Sequence, residues 1–116
     1  MKQTLLVCGG RTFADREKLF SILDAAHAAN PIEYLVHGCA PGADTLADEW
    51  AKARGVPVEK YPALWDVHGR KAGPIRNQLM LDDGQPDIVV AFAGGIGTAD
   101  MVRRAKAANI PVVTVS

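Results

Sequence analysis

Charge of one sign, long apolar runs and patterned cysteine are all scarce in this sequence. Thirteen Lys and Arg against thirteen Asp and Glu leave 116 residues at zero formal net charge. A chain without a global positive field does not draw in a phosphate backbone from a distance, so any nucleic-acid contact has to be local. After Met-Lys-Gln-Thr the chain enters Leu5-Leu6-Val7, too short for a signal-peptide core. No apolar stretch approaches the roughly 18 residues of a membrane span. The expectation is a cytoplasmic protein with no membrane partner. Cys8 and Cys39 have neither CxxC spacing nor a histidine pattern suited to zinc. No metal is therefore expected. Two free buried thiols are the simple reading, and a redox pair is the alternative, because both close predicted strands.

The common nucleotide signatures are missing as well. No GxxxxGK[ST] is present, which argues against an ATPase phosphate loop, and "CGGRTF" does not supply the GxGxxG of a dinucleotide fold. No cofactor is expected. The length suits a single domain over residues 1–116, in which binding and any chemistry share one core.

What the chain does have is a regular order of elements. "TLLVC" (4–8), "YLVH" (34–37), "DIVVAF" (87–92) and "PVVTV" (111–115) are short apolar runs without alternation, as expected of strands covered on both faces, and "VPVEKY" (56–61) is a weaker fifth. Between them lie helical patterns. Asp15 is placed to cap a helix with the stripe Leu19, Ile22, Leu23 and Ala26. Ala43, Leu46, Ala47, Trp50 and Ala51 mark a second, ending at Gly55. A third is expected to begin at Gly73-Pro74 and a fourth to follow Thr98. Strand and helix alternate, which predicts a three-layer α/β domain with right-handed crossovers. We expect a doubly wound, mainly parallel sheet of about five strands in the order 3-2-1-4-5.

In that order ligands bind at the carboxyl ends of strands one and four, where the winding reverses. "CGGRTF" (8–13), "HGCAPGAD" (37–44) and "AFAGGIGTAD" (91–100) would meet on that edge. A helix N-terminus offers unpaired N–H groups, and glycine lets the backbone approach an anion closely. One glycine pair after a strand is an ordinary tight connection; three on one edge point to a cradle for an anion, most naturally a phosphate. The long connection "PALWDVHGRKAGPIRN" (62–77) adds Trp65, His68, Arg70, Lys71 and Arg76. Trp65 either stacks on a base or ribose or covers the edge of the core. Arg70 and Lys71 read as a solvated face. Arg76, expected in a first helical turn, is unfavourable for the helix dipole and so hints at an anionic partner. His37 and His68 suit local hydrogen bonding, and His27 reads as helix surface.

With these motifs in their order, the chain resembles the YspA, or cpYpsA-related, branch of the SLOG superfamily, which groups Smf/DNA-processing proteins with the Lonely Guy phosphoribohydrolases. "CGGRTFAD", "HGCAPGADTLADEWA", "AGPIRNQLM" and "VVAFAGGIGTADMV" carry the resemblance over nearly the whole length. It implies a Rossmann-like fold that binds nucleotides or nucleotide-derived small molecules, with a homodimer as the assembly that related folds suggest. Lonely Guy enzymes cleave an N-glycosidic bond of a nucleoside monophosphate with the arginine of "RKxxM" and the glutamate ending "PGGxGTxxE". Arg76 and Met80 keep the first spacing, and Gly94, Gly95, Gly97 and Thr98 match the second. Ala93 stands for the proline, Asn77 for the lysine and Met101 for the glutamate. A methionine neither takes a proton nor stabilises an oxocarbenium charge, so that mechanism does not carry over intact.

The leading expectation is binding or sensing of a phosphorylated nucleotide. Its candidate residues are Gly9, Gly10, Arg11, Gly38, Gly42, Ala43, Asp44, Trp65, Arg76, Asn77, Gly94, Gly95, Gly97 and Thr98. The alternative is a phosphoribohydrolase-like enzyme in which Arg76 holds the phosphate and Asp100 or Asp44 supplies the carboxylate, although either aspartate also reads as an ordinary first-turn helix residue. Single-stranded DNA binding, suggested by the Smf relatives, ranks third. Zero net charge and one loop aromatic suited to stacking weigh against it.

Overall fold

The computed structural model describes residues 2–116. The elements are β1 (Gln3–Cys8), α1 (Arg16–Ala29), β2 (Ile32–His37), α2 (Ala43–Arg54), β3 (Val58–Lys60), α3 (Trp65–His68), a 3-10 turn at Gly69–Lys71, α4 (Ala72–Asp82), β4 (Ile88–Ala91), α5 (Ile96–Ala107) and β5 (Val112–Thr114). The five strands form one parallel sheet in the order β3-β2-β1-β4-β5. This is the doubly wound order expected from the sequence, with helices on both faces.

Period-two alternation sorts the apolar strand residues between two cores. Leu5 and Val7 face Leu19 and Leu23 of α1 and Ala47 and Trp50 of α2. Leu6 and Cys8 face Met80 of α4 and Met101 and Ala105 of α5. Both faces of β1 are thus covered, which is why its sequence shows no polar alternation. Each fully buried leucine contributes about 1.5–3 kcal/mol of apolar transfer. Trp50 has no exposed surface, and its indole N–H donates to Asp24 at 2.9 Å, so its burial leaves no orphaned donor.

The predicted caps hold at two helix ends. Asp15 accepts the Lys18 amide at 3.1 Å, and Gly55 closes α2 with φ of 71°. Two helix starts differ from expectation. α4 begins at Ala72, which makes Pro74 its third residue, where a missing N–H costs nothing. α5 begins at Ile96 with Gly95 as its cap residue, so Thr98 lies inside the first turn rather than before it. The 62–77 connection is largely helical rather than an open loop. Neither α3 nor the turn after it buries a residue, so no apolar stripe marks either in the sequence. Two further readings need correction. Cys39 is exposed rather than buried, on backbone with φ of 61°. His27 is half-buried rather than on the helix surface, edge-on to Trp50 and accepting the Ile32 amide through Nδ1. No helix among the described residues is long and apolar enough to cross a membrane.

Candidate functional site

Cys8 of β1 pairs with Ala91 of β4 in parallel register, so the loops that follow leave the sheet side by side. The Phe92 amide donates to Cys8 at 2.9 Å and the Gly10 amide to Ala93 at 2.8 Å. The Gly10 carbonyl in turn accepts the amides of Phe13 and of Ala43, both at 3.2 Å. The two peptide units flanking Gly10 therefore join all three glycine-rich loops. Close packing explains four of the glycines. A Cβ at Gly9 would lie 2.6 Å from that of Ala43, one at Gly10 2.8 Å from the Ala93 oxygen, and one at Gly94 2.7 Å from the Gly10 nitrogen. Gly42 has φ of 81° and abuts Gly10 and Arg11. Gly42 and Ala43 do not line the cleft described below; they buttress its wall from behind.

Gly95 and Gly97 differ from these four. Both line a cleft of about 860 Å³ at the carboxyl edge of the sheet, and a Cβ on either would meet nothing within 4 Å. No side chain caps the start of α5 between them. An uncapped helix start with open glycines offers free N–H groups and a partial positive charge to an anion. Thr98 and Gly94 border the same space.

The second loop is held by Asp44. Its Oδ2 accepts the amides of Gly38 at 3.1 Å and Ala40 at 3.2 Å, and its side chain borders the cleft. Burial raises the Asp44 pKa against the opposing pull of those hydrogen bonds and of His37 and Arg76. His37 is buried behind it, with Nδ1 accepting the Cys39 amide at 3.0 Å. The imidazole proton therefore sits on Nε2, which donates to Asp48 at 2.9 Å. Cys8, at the cleft floor, has its thiol pKa pushed up to about 12 by burial and by Asp44, the opposite of an activated thiolate.

On the opposite wall α4 supplies Arg76 and Asn77. Arg76 lies one turn inside the helix rather than in its first turn, because α4 starts early. Its Nε donates to the Asn77 side chain at 3.0 Å and its Nη1 to the Gly38 carbonyl. Any side chain at Gly38 would occupy the place of the guanidinium. Burial, and the nearby charge of Arg11, lower the Arg76 pKa. Asn77 is buried, and its amide donates to the Gly97 carbonyl at 3.2 Å and to Asp100 at 3.0 Å. Asp100 also accepts from Arg103 and Arg104, each at 2.8 Å. Burial raises its pKa, but the hydrogen bonds from Arg104, Asn77 and Arg103 outweigh that and hold it below the usual carboxylate range. Three of its roughly four lone-pair sites are taken. Trp65 lies at the mouth, half-exposed, with the Arg11 guanidinium 5.8 Å from its ring centre.

The family model described as "YspA, cpYpsA-related SLOG family" matches residues 4–68, more than half of the chain. The chain belongs to that family. This SLOG protein is similar to the Gene 61 protein of Mycobacterium phage D29, with 38% identity over 117 residues that cover 94% of this chain and 93% of that protein. It shares its fold with DNA processing protein A (DprA) from Streptococcus pneumoniae, with a TM-score of 0.78 at 16% identity over 98% of this chain. It spans about half the length of that structure, 50%.

Met101 is fully buried in the core beside Leu6 and Ala105. Asp100, one residue earlier, faces the cleft instead. Arg70, read from the sequence as solvated, also borders the cleft, whereas Lys71 does not. His68 is exposed and makes no side-chain hydrogen bond among the described residues. Asp48 was missed by sequence reading, although it stands four residues after Asp44 and so on the same helix face.

Proposed function

We propose that this SLOG domain binds a phosphorylated nucleotide or nucleotide-derived small molecule in the cleft, with a phosphate at the start of α5. The reading is carried by Gly95 and Gly97, whose absent side chains leave open space in the cleft beside uncapped helix N–H groups. The five other loop glycines, Gly38 among them, have a packing reason to be glycine, and these two do not. In this arrangement Asn77 fixes the first turn of α5 through Gly97, Arg76 supplies positive charge, and Trp65 offers a stacking face to a base. A nucleotide at a hundred times its dissociation constant adds about 2.7 kcal/mol to stability. Thermal-shift measurement across nucleoside mono- and diphosphates and ADP-ribose tests this, with an oligonucleotide as the nucleic-acid arm. No shift with any small nucleotide would remove the proposal.

A phosphoribohydrolase-like activity is the second reading, and Asp44 is the observation that favours it. Its two hydrogen bonds fall on one oxygen and burial raises its pKa, whereas Asp100 accepts from Asn77, Arg103 and Arg104 and is held below the usual carboxylate range. Water would replace the base across the N-glycosidic bond, releasing free base and ribose phosphate. Turnover lost in Asp44→Asn supports this reading; binding without turnover in the unsubstituted protein rejects it. The homodimer stays a proposal too: Ile75 and Leu79, four apart on α4, are exposed, and the solution mass of the purified protein tests it.

A further inference from the structure

A second, smaller compartment of about 220 Å³ adjoins the cleft. Gly38, Pro41, Pro62 and Ala63 help to wall it, and Arg11, Trp65 and Arg76 border both spaces. No residue of the loop 92–98 reaches it, so it lies apart from the α5 start.

Charge is unbalanced where the two spaces meet. Arg11 makes no side-chain hydrogen bond or salt bridge among the described residues. Arg76 forms no salt bridge there either, its two bonds going to an amide oxygen and a carbonyl. Asp100 is matched by Arg103 and Arg104. Among the described residues that border the cleft, Asp44 is thus the carboxylate without a salt bridge, against Arg11, Arg70 and Arg76. Arg11 is close enough for its charge to act on Arg76: burial and Arg11 lower the Arg76 pKa, against an opposing pull from Asp44. Two planar guanidiniums, one laid toward an indole face, form the kind of fork that grips phosphoryl oxygens. A single phosphate at the α5 start would leave that fork unanswered.

Resting on the nucleotide reading of the cleft, we infer that the ligand carries two phosphoryl groups, one at the start of α5 and one between Arg11 and Arg76 in the smaller compartment. Nucleoside diphosphates, their sugar esters and nucleoside 3′,5′-bisphosphates share this chemistry, and monophosphates lack it. Gly38 then has a specific purpose: its missing side chain lets Arg76 reach the boundary between the two spaces.

The test is calorimetric titration of the full chain with adenosine and guanosine 5′-monophosphates, 5′-diphosphates and 3′,5′-bisphosphates, for the unsubstituted protein and Arg11→Gln. A charge-assisted phosphoryl contact predicts that one diphosphoryl class binds at least about tenfold more tightly than the matched monophosphate. Arg11→Gln should bring that ratio close to one, without loss of fold by circular dichroism. Which class wins tells a 5′-anhydride from a 3′,5′ arrangement. Equal affinity for mono- and diphosphoryl ligands, or a ratio that survives Arg11→Gln, overturns this inference while leaving the nucleotide proposal in place. Absence of binding by every nucleotide overturns both.

Discussion

The side-chain amide of Asn77 lies 3.0 Å from a carboxylate oxygen of Asp100 and ties α4 to α5 beside the cleft. The same amide reaches the Gly97 carbonyl, so the first turn of α5 is positioned by a residue from another helix. Asp100→Ala removes one arm of this link and takes from Arg104 its carboxylate partner, leaving it the bond to Gln78. We expect a loss of about 1–2 kcal/mol at pH 7 in urea unfolding. The folded-state pKa of Asp100 lies below its unfolded value, so its stabilisation is present above the unfolded value of about 3.9 and is lost as pH falls through the folded one. The gap between the two proteins should close in strong acid. Equal stability at pH 7 would count against the tie.

Gly97→Ala separates a packing glycine from a binding one. Gly97 sits in the first turn of α5 with nothing near its would-be Cβ and no positive φ. Alanine should stabilise the free protein by a few tenths to about 1 kcal/mol. The same methyl intrudes on the cleft and should weaken nucleotide binding about tenfold or more, on the scale of a lost contact to an ionised group. A raised melting temperature with unimpaired binding would show that the α5 start does not hold the ligand. Gly10→Ala, by contrast, should destabilise the protein outright, since its methyl meets the Ala93 oxygen.

Asp44→Asn should raise stability at neutral pH. Burial lifts the folded-state pKa of Asp44 above the unfolded value, so its penalty is absent below the unfolded pKa and grows as pH rises through the folded one. Asparagine keeps an oxygen for the Gly38 and Ala40 amides and has no charge to desolvate. Melting curves from pH 4 to pH 8 should show the variant ahead at the upper end and level at the lower. A variant less stable than the parent at pH 8 would mean that the negative charge holds the loop.

Tryptophan fluorescence offers a direct reading of the cleft. Trp50 is fully buried and bonded to Asp24, whereas Trp65 is half-exposed at the mouth beside Arg11. A nucleotide stacking on Trp65 should quench emission in the unsubstituted protein and leave Trp65→Phe, which reports Trp50 alone, unchanged. Quenching that persists in Trp65→Phe would place the ligand elsewhere.

The strands and their order were legible because burial of both faces leaves uninterrupted apolar runs, and because alternation with helices leaves few ways to wind the sheet. The start of α5 was misread for a local reason. Thr98 looks like a cap, whereas the true cap, Gly95, has no side chain with which to announce itself. α3 escaped notice because every one of its residues faces solvent. In the site, the glycines could be counted but not sorted. Gly10 is explained by an oxygen of Ala93, more than eighty positions further along the chain, and Gly38 by the guanidinium of Arg76, contacts that no local pattern encodes. The resemblance supplied the alignment of Met101 with a catalytic glutamate, but only the helix phase reveals where that side chain goes.

That phase limits how this domain can change. Met101 points into the apolar layer, and Asp100 takes the cleft-facing position beside it. Exchanging Met101 for glutamate would bury an unpaired carboxylate rather than equip the cleft with one. Reaching the hydrolase arrangement from here requires the helix to turn by about a residue, roughly 100°, with its packing on Leu6 and Ala105 rebuilt in the same step. A substitution at position 101 alone therefore leaves the cleft without that glutamate, and the cleft-facing carboxylate stays with position 100.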